Sequence, residues 1–436
     1  MNRKPQLLIG APCSGSGKTT FTMGLLRALQ RQGLRVQPYK CGPDYIDSRF
    51  HALATGRETV NLDTWLASAQ HNRELYARYG ADADACVVEG VMGLYDGYDR
   101  MQGSSAEIAL LLDIPVLLVV NARSTAYSVA AQLYGLSRFH PGLQFAGVVF
   151  TQVASENHFR FLRQASDDAG LRCFGWIPRD GRLEIPSRHL GLTLSAGQEM
   201  EQKIDRAADQ ILAHVDLPAL LEAVQCPVPA PTPAPEYCRK AGTLRIAVAR
   251  DAAFNFIYRE NLARLSGLGD VRVFSPLAGD PLPECDLLYL PGGYPELFAA
   301  ELASAAETRE QIRDFAESGG RVLAECGGMI YLTHMIVGVE KGPFPMCGVL
   351  PCAATMEGAR LHLGYRRIVD VAGRTWKGHE FHYSRLDRPD MLPSVARQFN
   401  ACGEHVVTAL YRYKNVFAGY THLYWGENDI MQWWDE

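Results

Sequence analysis

Two kinds of chemistry are written in this chain. The first is a nucleophile. Arg321-Val322-Leu323-Ala324-Glu325-Cys326-Gly327-Gly328-Met329 ends an apolar run in a cysteine flanked by glycines. A residue so placed on a strand-to-helix turn is a nucleophile elbow, with sulfur in place of the serine oxygen. The pattern predicts an exposed thiol tip whose thiolate is stabilised by the helix N-terminus. A second run, Leu287-Leu288-Tyr289-Leu290, ends in Pro291-Gly292-Gly293-Tyr294-Pro295-Glu296. The N–H groups of Gly327 and Gly293 are candidates for an oxyanion hole, each donor typically worth about 3 kcal/mol of barrier. A buried structural cysteine is the competing explanation. A cysteine nucleophile needs a base, and His362, His379, His382, His405 and His422 are available. His379 and His382 would lie on opposite faces of a strand. The residues alone leave His382 and His422 open.

The second chemistry is phosphate handling. Leu7-Leu8-Ile9 runs into Gly10-Ala11-Pro12-Cys13-Ser14-Gly15-Ser16-Gly17-Lys18-Thr19-Thr20, and a helical pattern follows, with Phe21, Leu25, Leu26 and Leu29 on one face. Strand, small-residue turn and helix are the setting of a phosphate-binding loop. Gly15, Ser16, Gly17, Lys18, Thr19 and Thr20 are its candidate contacts. Lys18 would reach the β/γ-phosphates, and the Thr19 hydroxyl would ligate Mg²⁺. Pro12 stands where the strict P-loop pattern has its first glycine; Gly15 and Gly17 supply permissive backbone instead. After the next strand, Lys40-Cys41-Gly42-Pro43-Asp44-Tyr45-Ile46-Asp47 places two carboxylates and a lysine within eight residues. They suit Mg²⁺ and an anionic substrate, although an Asp-rich turn needs no ligand to explain it. Glu89, before Gly90-Val91-Met92-Gly93, ends a buried strand in the manner of a Walker B acid. Ser104-Ser105-Ala106-Glu107 carries capping chemistry and opens a helix. Asn121, at another strand end, suits a turn as well as a nucleotide.

The elements that must position these groups alternate. Strands are expected at Leu7–Ile9, Val36–Tyr39, Cys86–Val88, Val116–Val120, Ala146–Val149 and Cys173–Ile177, with helical segments between them. Such alternation indicates an α/β, doubly wound, mostly parallel sheet, which binds ligands at the carboxyl ends of its strands. A second sheet is expected from Leu244–Ala249 onward. Between the halves, residues 226–235 hold five prolines in ten positions, which neither a helix nor a central strand accommodates. The expected division is residues 1–225, a Pro-rich linker at 226–243, and 244–436. The 436 residues, 47% of them hydrophobic, suffice for two full cores. A net charge of −5 without a basic block argues against nucleic acid. No apolar run is long enough to span a bilayer, and the N-terminus shows no signal-peptide pattern. Eleven scattered cysteines without a C-x-x-C pair read as reduced cytoplasmic thiols.

Taken together, these segments resemble the cobyrinic acid a,c-diamide synthases of corrin biosynthesis. The likeness is carried by Ala11–Thr20, Lys40–Asp47, Asn61-Leu62-Asp63, Glu89–Gly97, Pro291–Glu296, Glu325–Gly328, Gly378–Ser384 and Gly419–Leu423. The resemblance implies a dethiobiotin synthetase-like ATP-binding domain joined to a triad-type glutamine amidotransferase domain. It implies Cys326 as nucleophile and His422 as base. Tyr424 stands where triad glutaminases often carry an acid. It implies nucleotide contacts from the P-loop, catalytic support from Lys40, and Mg²⁺ ligation by Thr19, Asp44 and Glu89. The implied reaction uses ATP and L-glutamine to amidate the c and a side chains of the macrocycle, for cobalamin synthesis. Cobyrinate, metal-free hydrogenobyrinate and Ni-sirohydrochlorin all remain open as the macrocycle. A homodimer is the base-rate expectation for oligomeric state. A partitioning or scaffold P-loop ATPase with a non-catalytic glutamine-binding domain is the alternative of another class. Against it, Cys13 occupies the position of the signature lysine of partitioning ATPases.

Overall fold

The computed structural model describes residues 2–185, 194–230, 244–340, 342–390 and 392–435. The chain divides into two compact units, Met1–Ala234 and Pro235–Glu436.

The first unit runs β1 (Arg3–Gly10), α1 (Lys18–Arg31), β2 (Val36–Cys41), α2 (Ile46–Thr55), β3 (Val60–Leu62), α3 (Ala69–Gly80), β4 (Ala85–Glu89) and α4 (Ser105–Leu112). It continues with β5 (Val116–Asn121), α5 (Val129–Arg138), β6 (Phe145–Val153), α6 (Glu156–Asp168), β7 (Cys173–Pro178), α7 (Leu194–His214), α8 (Leu217–Ala223) and β8 (Gln225–Pro227). The strands line up β3-β2-β4-β1-β5-β6-β7, all parallel, with β8 antiparallel to the first residues of β1. All six strands expected here are present. Because helices cover both faces, the central strands are apolar throughout rather than alternating. Leu8, Val88, Leu118 and Phe150 pack into one core and Leu7, Ile9, Val87 and Val119 into the other, on opposite sides of the sheet. Ser104 Oγ accepts the N–H of Glu107 at 3.2 Å, so the expected cap on α4 is formed.

Cys226 and Pro227, expected to begin the linker, belong instead to β8, paired with Lys4 and Arg3. Proline is tolerated there because an edge strand leaves one row of N–H groups unused. Residues 231–243, the bulk of the expected linker, lie outside the described residues.

The second unit opens with β9 (Leu244–Ala249), α9 (Arg259–Leu268), β10 (Gly269–Phe274), β11 (Leu287–Leu290), α10 (Ala299–Ser304), α11 (Ala306–Glu317), β12 (Arg321–Glu325) and α12 (Gly327–Leu332). Short strands β13 (Met335–Val337), β14 (Phe344–Pro345) and β15 (Ala353–Thr355) follow, then β16 (His362–Asp370), β17 (Thr375–His382), β18 (Arg385–Leu386), β19 (Ala396–Phe399) and β20 (His405–Val406). The last strands are β21 (Leu410–Tyr413), β22 (Val416–Gly419) and β23 (Thr421–Tyr424). The main sheet is ordered β10-β9-β11-β12-β22-β21, and an antiparallel sheet is ordered β20-β19-β16-β17-β23. The apolar run through 417–424 is therefore two strands in two sheets. β22 pairs with β12, which ends beside Cys326, and β23 pairs with β17, which carries His379 and His382. A break at Tyr420 brings the two sheets together at the elbow.

Candidate functional site

The phosphate-binding loop is built as its residue types require. Gly15 (φ 76°) and Gly17 (φ 89°) sit in the left-handed region that favours glycine. Gly17 is the N-cap of α1, and no side chain caps that helix. Its first-turn amides are left to the cleft, the arrangement that binds anions. Thr151, at the end of β6, braces the loop by donating to Ser16 O at 2.8 Å. The cleft, about 460 Å³, is lined by Gly15, Gly17, Lys18, Thr19, Thr20 and Lys40, with Asp44, Asp47 and Glu89 opposite. Lys18 Nζ donates to Met92 O at 2.5 Å. Burial and the nearby Lys40 ammonium lower its pKa, while Glu89 and Asp47 act in the other direction. Asn121 does turn work, its Oδ1 accepting the N–H of Arg123 at 2.9 Å.

Behind the loop lies a charged cluster. Lys40 Nζ is 2.8 Å from Asp47, 2.9 Å from Glu89 and 3.2 Å from Gly90 O. These acceptors use all three ammonium hydrogens, so Lys40, expected to serve the transferring group, is committed to the carboxylates. Thr19 Oγ1 reaches Glu89 at 2.8 Å and Asp47 at 3.2 Å. Asp44, expected beside Thr19 and Glu89, also lines the cleft. Its Oδ1, however, caps α2, accepting from Ile46 N at 2.9 Å and Asp47 N at 3.0 Å. It is Asp47 that stands against the Thr19 hydroxyl. His51 belongs to the same cluster, its Nε2 2.5 Å from Glu89. Sequence reasoning missed it, although the spacing Asp47, His51 is i, i+4 and shares one helix face.

Burial alone would lower Lys40, but Asp47, Glu89 and Asp44 outweigh it and keep the ammonium charged. Burial would raise Glu89, but Lys40 and His51 hold it below the usual carboxylate range. Asp47, buried and facing Asp44, is pushed up to about 6. Glu89 is fully buried and Lys40 is 2% exposed. Removing one partner of such a pair strands the other charge and costs about 3–5 kcal/mol. Lys40→Met is expected to lower the unfolding midpoint of the N-terminal unit accordingly in a denaturant titration, and Lys40→Met combined with Glu89→Gln to recover part of the loss. An unchanged midpoint for the single variant would contradict this account.

The elbow in the second unit is equally definite. Cys326 has φ 45° and ψ −102° and precedes α12, and its N–H donates to Gly419 O at 2.7 Å. A non-glycine residue held at positive φ is backbone strain of the kind concentrated at working sites. The surrounding glycines are forced by contact. A methyl group at Gly327 would fall 2.9 Å from Gly293 N, and one at Gly292 would fall 2.0 Å from Cε1 of His422. The Gly293 backbone nitrogen thus lies beside Gly327 at the elbow, and the His422 ring lies against Gly292.

The thiol is not exposed as expected. Cys326 is 2% accessible and its Sγ lies 3.7 Å from Phe381 O. Burial, followed by the charge of Glu296, pushes the thiol well above its ordinary value, and the Gly327 N–H only partly opposes this. The elbow is covered by the Pro291–Glu296 loop and by β17 and β23, and this burial favours the protonated thiol.

The structure separates the histidines. His382 is stacked on Tyr420, with ring centroids 3.6 Å apart. Its Nδ1 lies 2.8 Å from Ser384 O and its Nε2 2.8 Å from a Glu380 oxygen. Both ring nitrogens of His382 are thus within hydrogen-bond distance of other groups. His362 and His405 are exposed, and His379 sits across from His422 in the β17–β23 register. His422 is fully buried. Burial, with His379 and His382 nearby, lowers its pKa to about 3, while Glu380 and the Phe381 backbone act in the opposite sense. It is therefore neutral, the form a general base needs. Tyr424, in place of the usual acid, packs edge-on against Tyr258 at 5.3 Å. Glu325 ties the histidine's strand to the elbow instead. It accepts from Leu423 N at 3.1 Å and from the Tyr289 hydroxyl at 2.7 Å, and burial pushes it up to about 8.

One unit thus carries a phosphate-binding cleft and the other a buried Cys-His centre. Together they define a nucleotide-binding, glutamine amidotransferase-type ligase. Residues 7–192 match the CobQ/CobB/MinD/ParA nucleotide binding domain and residues 245–430 the CobB/CobQ-like glutamine amidotransferase domain. The chain is 44% identical to the hydrogenobyrinate a,c-diamide synthase of Rhodobacter capsulatus, over 92% of this chain and 94% of that protein. It is 40% identical to the Pseudomonas aeruginosa hydrogenobyrinate a,c-diamide synthase, over 98% and 96%. It is 38% identical to the cobyrinate a,c-diamide synthase of Picrophilus torridus, over 97% and 96%. The chain belongs to the a,c-diamide synthase family. That membership sets aside the partitioning-ATPase alternative. Among the described residues, no helix is long and apolar enough to cross a membrane.

Proposed function

We propose that this chain uses ATP and glutamine to convert the c and then the a acetate carboxylate of a cobyrinate-class macrocycle into amides. The observation that supports this most is likeness over essentially the full length, both domains in the same order, to relatives named for that product. Cys326 attacks the glutamine carboxamide as His422 takes the thiol proton. The N–H groups of Gly293 and Gly327 hold the oxyanion, and His422 returns the proton to the departing ammonia. Water, activated by the same imidazole, then hydrolyses the thioester and releases glutamate.

In the other unit, the loop amides from Gly15 to Thr20 and the Lys18 ammonium bind the ATP phosphates. Transfer of the γ-phosphoryl to the macrocycle carboxylate gives an acyl phosphate and ADP. Ammonia displaces phosphate from that acyl carbon and leaves the amide. Thr19, Asp47 and Glu89 offer the all-oxygen donor set that Mg²⁺ requires, with Lys40 balancing part of their charge. When bound there, Mg²⁺ neutralises charge on the phosphate oxygens. A cytoplasmic enzyme is expected, because ATP and reduced thiols are found there, and a homodimer is the expected assembly.

Steady-state assays with cobyrinate and hydrogenobyrinate, scored for diamide and ADP, test the reading. A kcat/KM for one of them far above that for Ni-sirohydrochlorin is expected. Turnover of neither would overturn the proposal.

A further inference from the structure

The loop that brings Gly293 to the elbow also carries an acid that the reaction above does not use. After Gly292-Gly293-Tyr294 the chain makes a short 3₁₀ turn over Pro295–Phe298. That turn is pressed against the residue that follows the nucleophile, since a methyl group at Gly327 would fall 2.9 Å from Pro295 Cδ. Glu296 is the next residue, and its charge is the foremost electrostatic influence on the Cys326 sulfur. Its Oε2 is inaccessible to solvent and, among the described residues, has no hydrogen-bond partner. Burial pushes the carboxyl up to about 7, and its own backbone N–H partly opposes this. Glu296 as a whole is part-buried, but a solvent-inaccessible carboxylate oxygen without a partner is unfavourable unless a cation or donor completes it. Glutamine brings such a group: when its carboxamide carbon sits on Cys326, its α-ammonium is four bonds away.

We propose that Glu296 is the glutamine-specificity residue, its Oε2 receiving the α-ammonium of the amide donor and so selecting an amino acid over a plain amide. This rests on the reading of Cys326 as a glutaminase nucleophile. Pairing the ammonium with the buried carboxylate satisfies both charges, and a donor lacking the amine leaves the carboxyl orphaned, which is how a polar site rejects an analogue.

The test is hydrolysis of glutamine against glutaramate, the same amide without the α-amino group, followed by ammonia release. The intact enzyme is expected to favour glutamine by on the order of 100-fold in kcat/KM. Glu296→Gln is expected to bring the two amides to within about tenfold of each other, mainly through a higher KM for glutamine. Glu296→Asp, which keeps the charge, should retain most of the preference. The ratio does not depend on the fraction of enzyme folded, and the intact enzyme alone already tests the idea should a variant be inactive. Equal use of both amides by the intact enzyme, or an undiminished preference in Glu296→Gln, would overturn the proposal. Hydrolysis of neither amide would instead bring down the glutaminase reading beneath it.

Discussion

Cys326→Ala is expected to lose glutamine-dependent amidation by at least about 10⁴-fold while keeping amidation supported by ammonium salts. The magnitude follows from the role. Without sulfur there is no thioester, and the remaining donors at Gly293 and Gly327 can only polarise a carbonyl that nothing attacks, as when other covalent nucleophiles are removed. The selectivity follows from the fold. Cys326 lies in the unit Pro235–Glu436 and the phosphate cleft in the unit Met1–Ala234, each with its own core. Replacing a thiol by a methyl group also leaves the elbow its glycines and its N–H bond to Gly419 O. The measurement is diamide formation with glutamine and, separately, with ammonium chloride at a pH high enough to supply free ammonia. Loss of both would contradict a division of labour between the units.

Much of this was legible in the residues, and the misses have identifiable causes. The parallel sheet of the first unit could be read because its buried strands are short apolar runs separated by helical patterns. β3 escaped because Val60-Asn61-Leu62 is too short to show any period. The pairing of β16 with β17 and β19 escaped because His362–Asp370 mixes charged and apolar residues along a half-exposed strand. The elbow at Cys326 was legible as local turn chemistry. Its burial was not, because the covering groups come from Gly292–Pro295 and from Phe381, far away in sequence. That Ser384 O and Glu380 stand at the ring nitrogens of His382 is something spacing cannot reveal. Asp44 and Asp47 looked alike until α2 formed and one of them became its cap.

Lys18→Met is expected to produce the opposite dissociation: amidation falls by on the order of 10³-fold with either nitrogen source, while Cys326 still hydrolyses glutamine. Lys18 lines the cleft beside the α1 N-terminus, and burial beside Lys40 lowers its pKa, as expected of a cation kept in reserve for an anion. Nearby Glu89 and Asp47 are already engaged by Lys40, and among the described residues Lys18 has no carboxylate ion pair and meets the carbonyls of Met92 and Cys13. Those dipoles are weak partners compared with a triphosphate, and the exchange favours the nucleotide. In phosphoryl transfer the protein acts by positioning and charge, and one preorganised donor is typically worth about 10²- to 10³-fold. Methionine keeps the length and apolar stem of the side chain, so the loss reports the charge rather than a cavity. Loss of Lys40 would act differently, by stranding Glu89 and loosening the cluster before any nucleotide arrives. The check is ADP release with macrocycle and ammonium, run beside glutaminase activity on the same preparation. Undiminished ADP release in Lys18→Met would remove the phosphate cleft from the mechanism, whatever the state of the Cys326 centre.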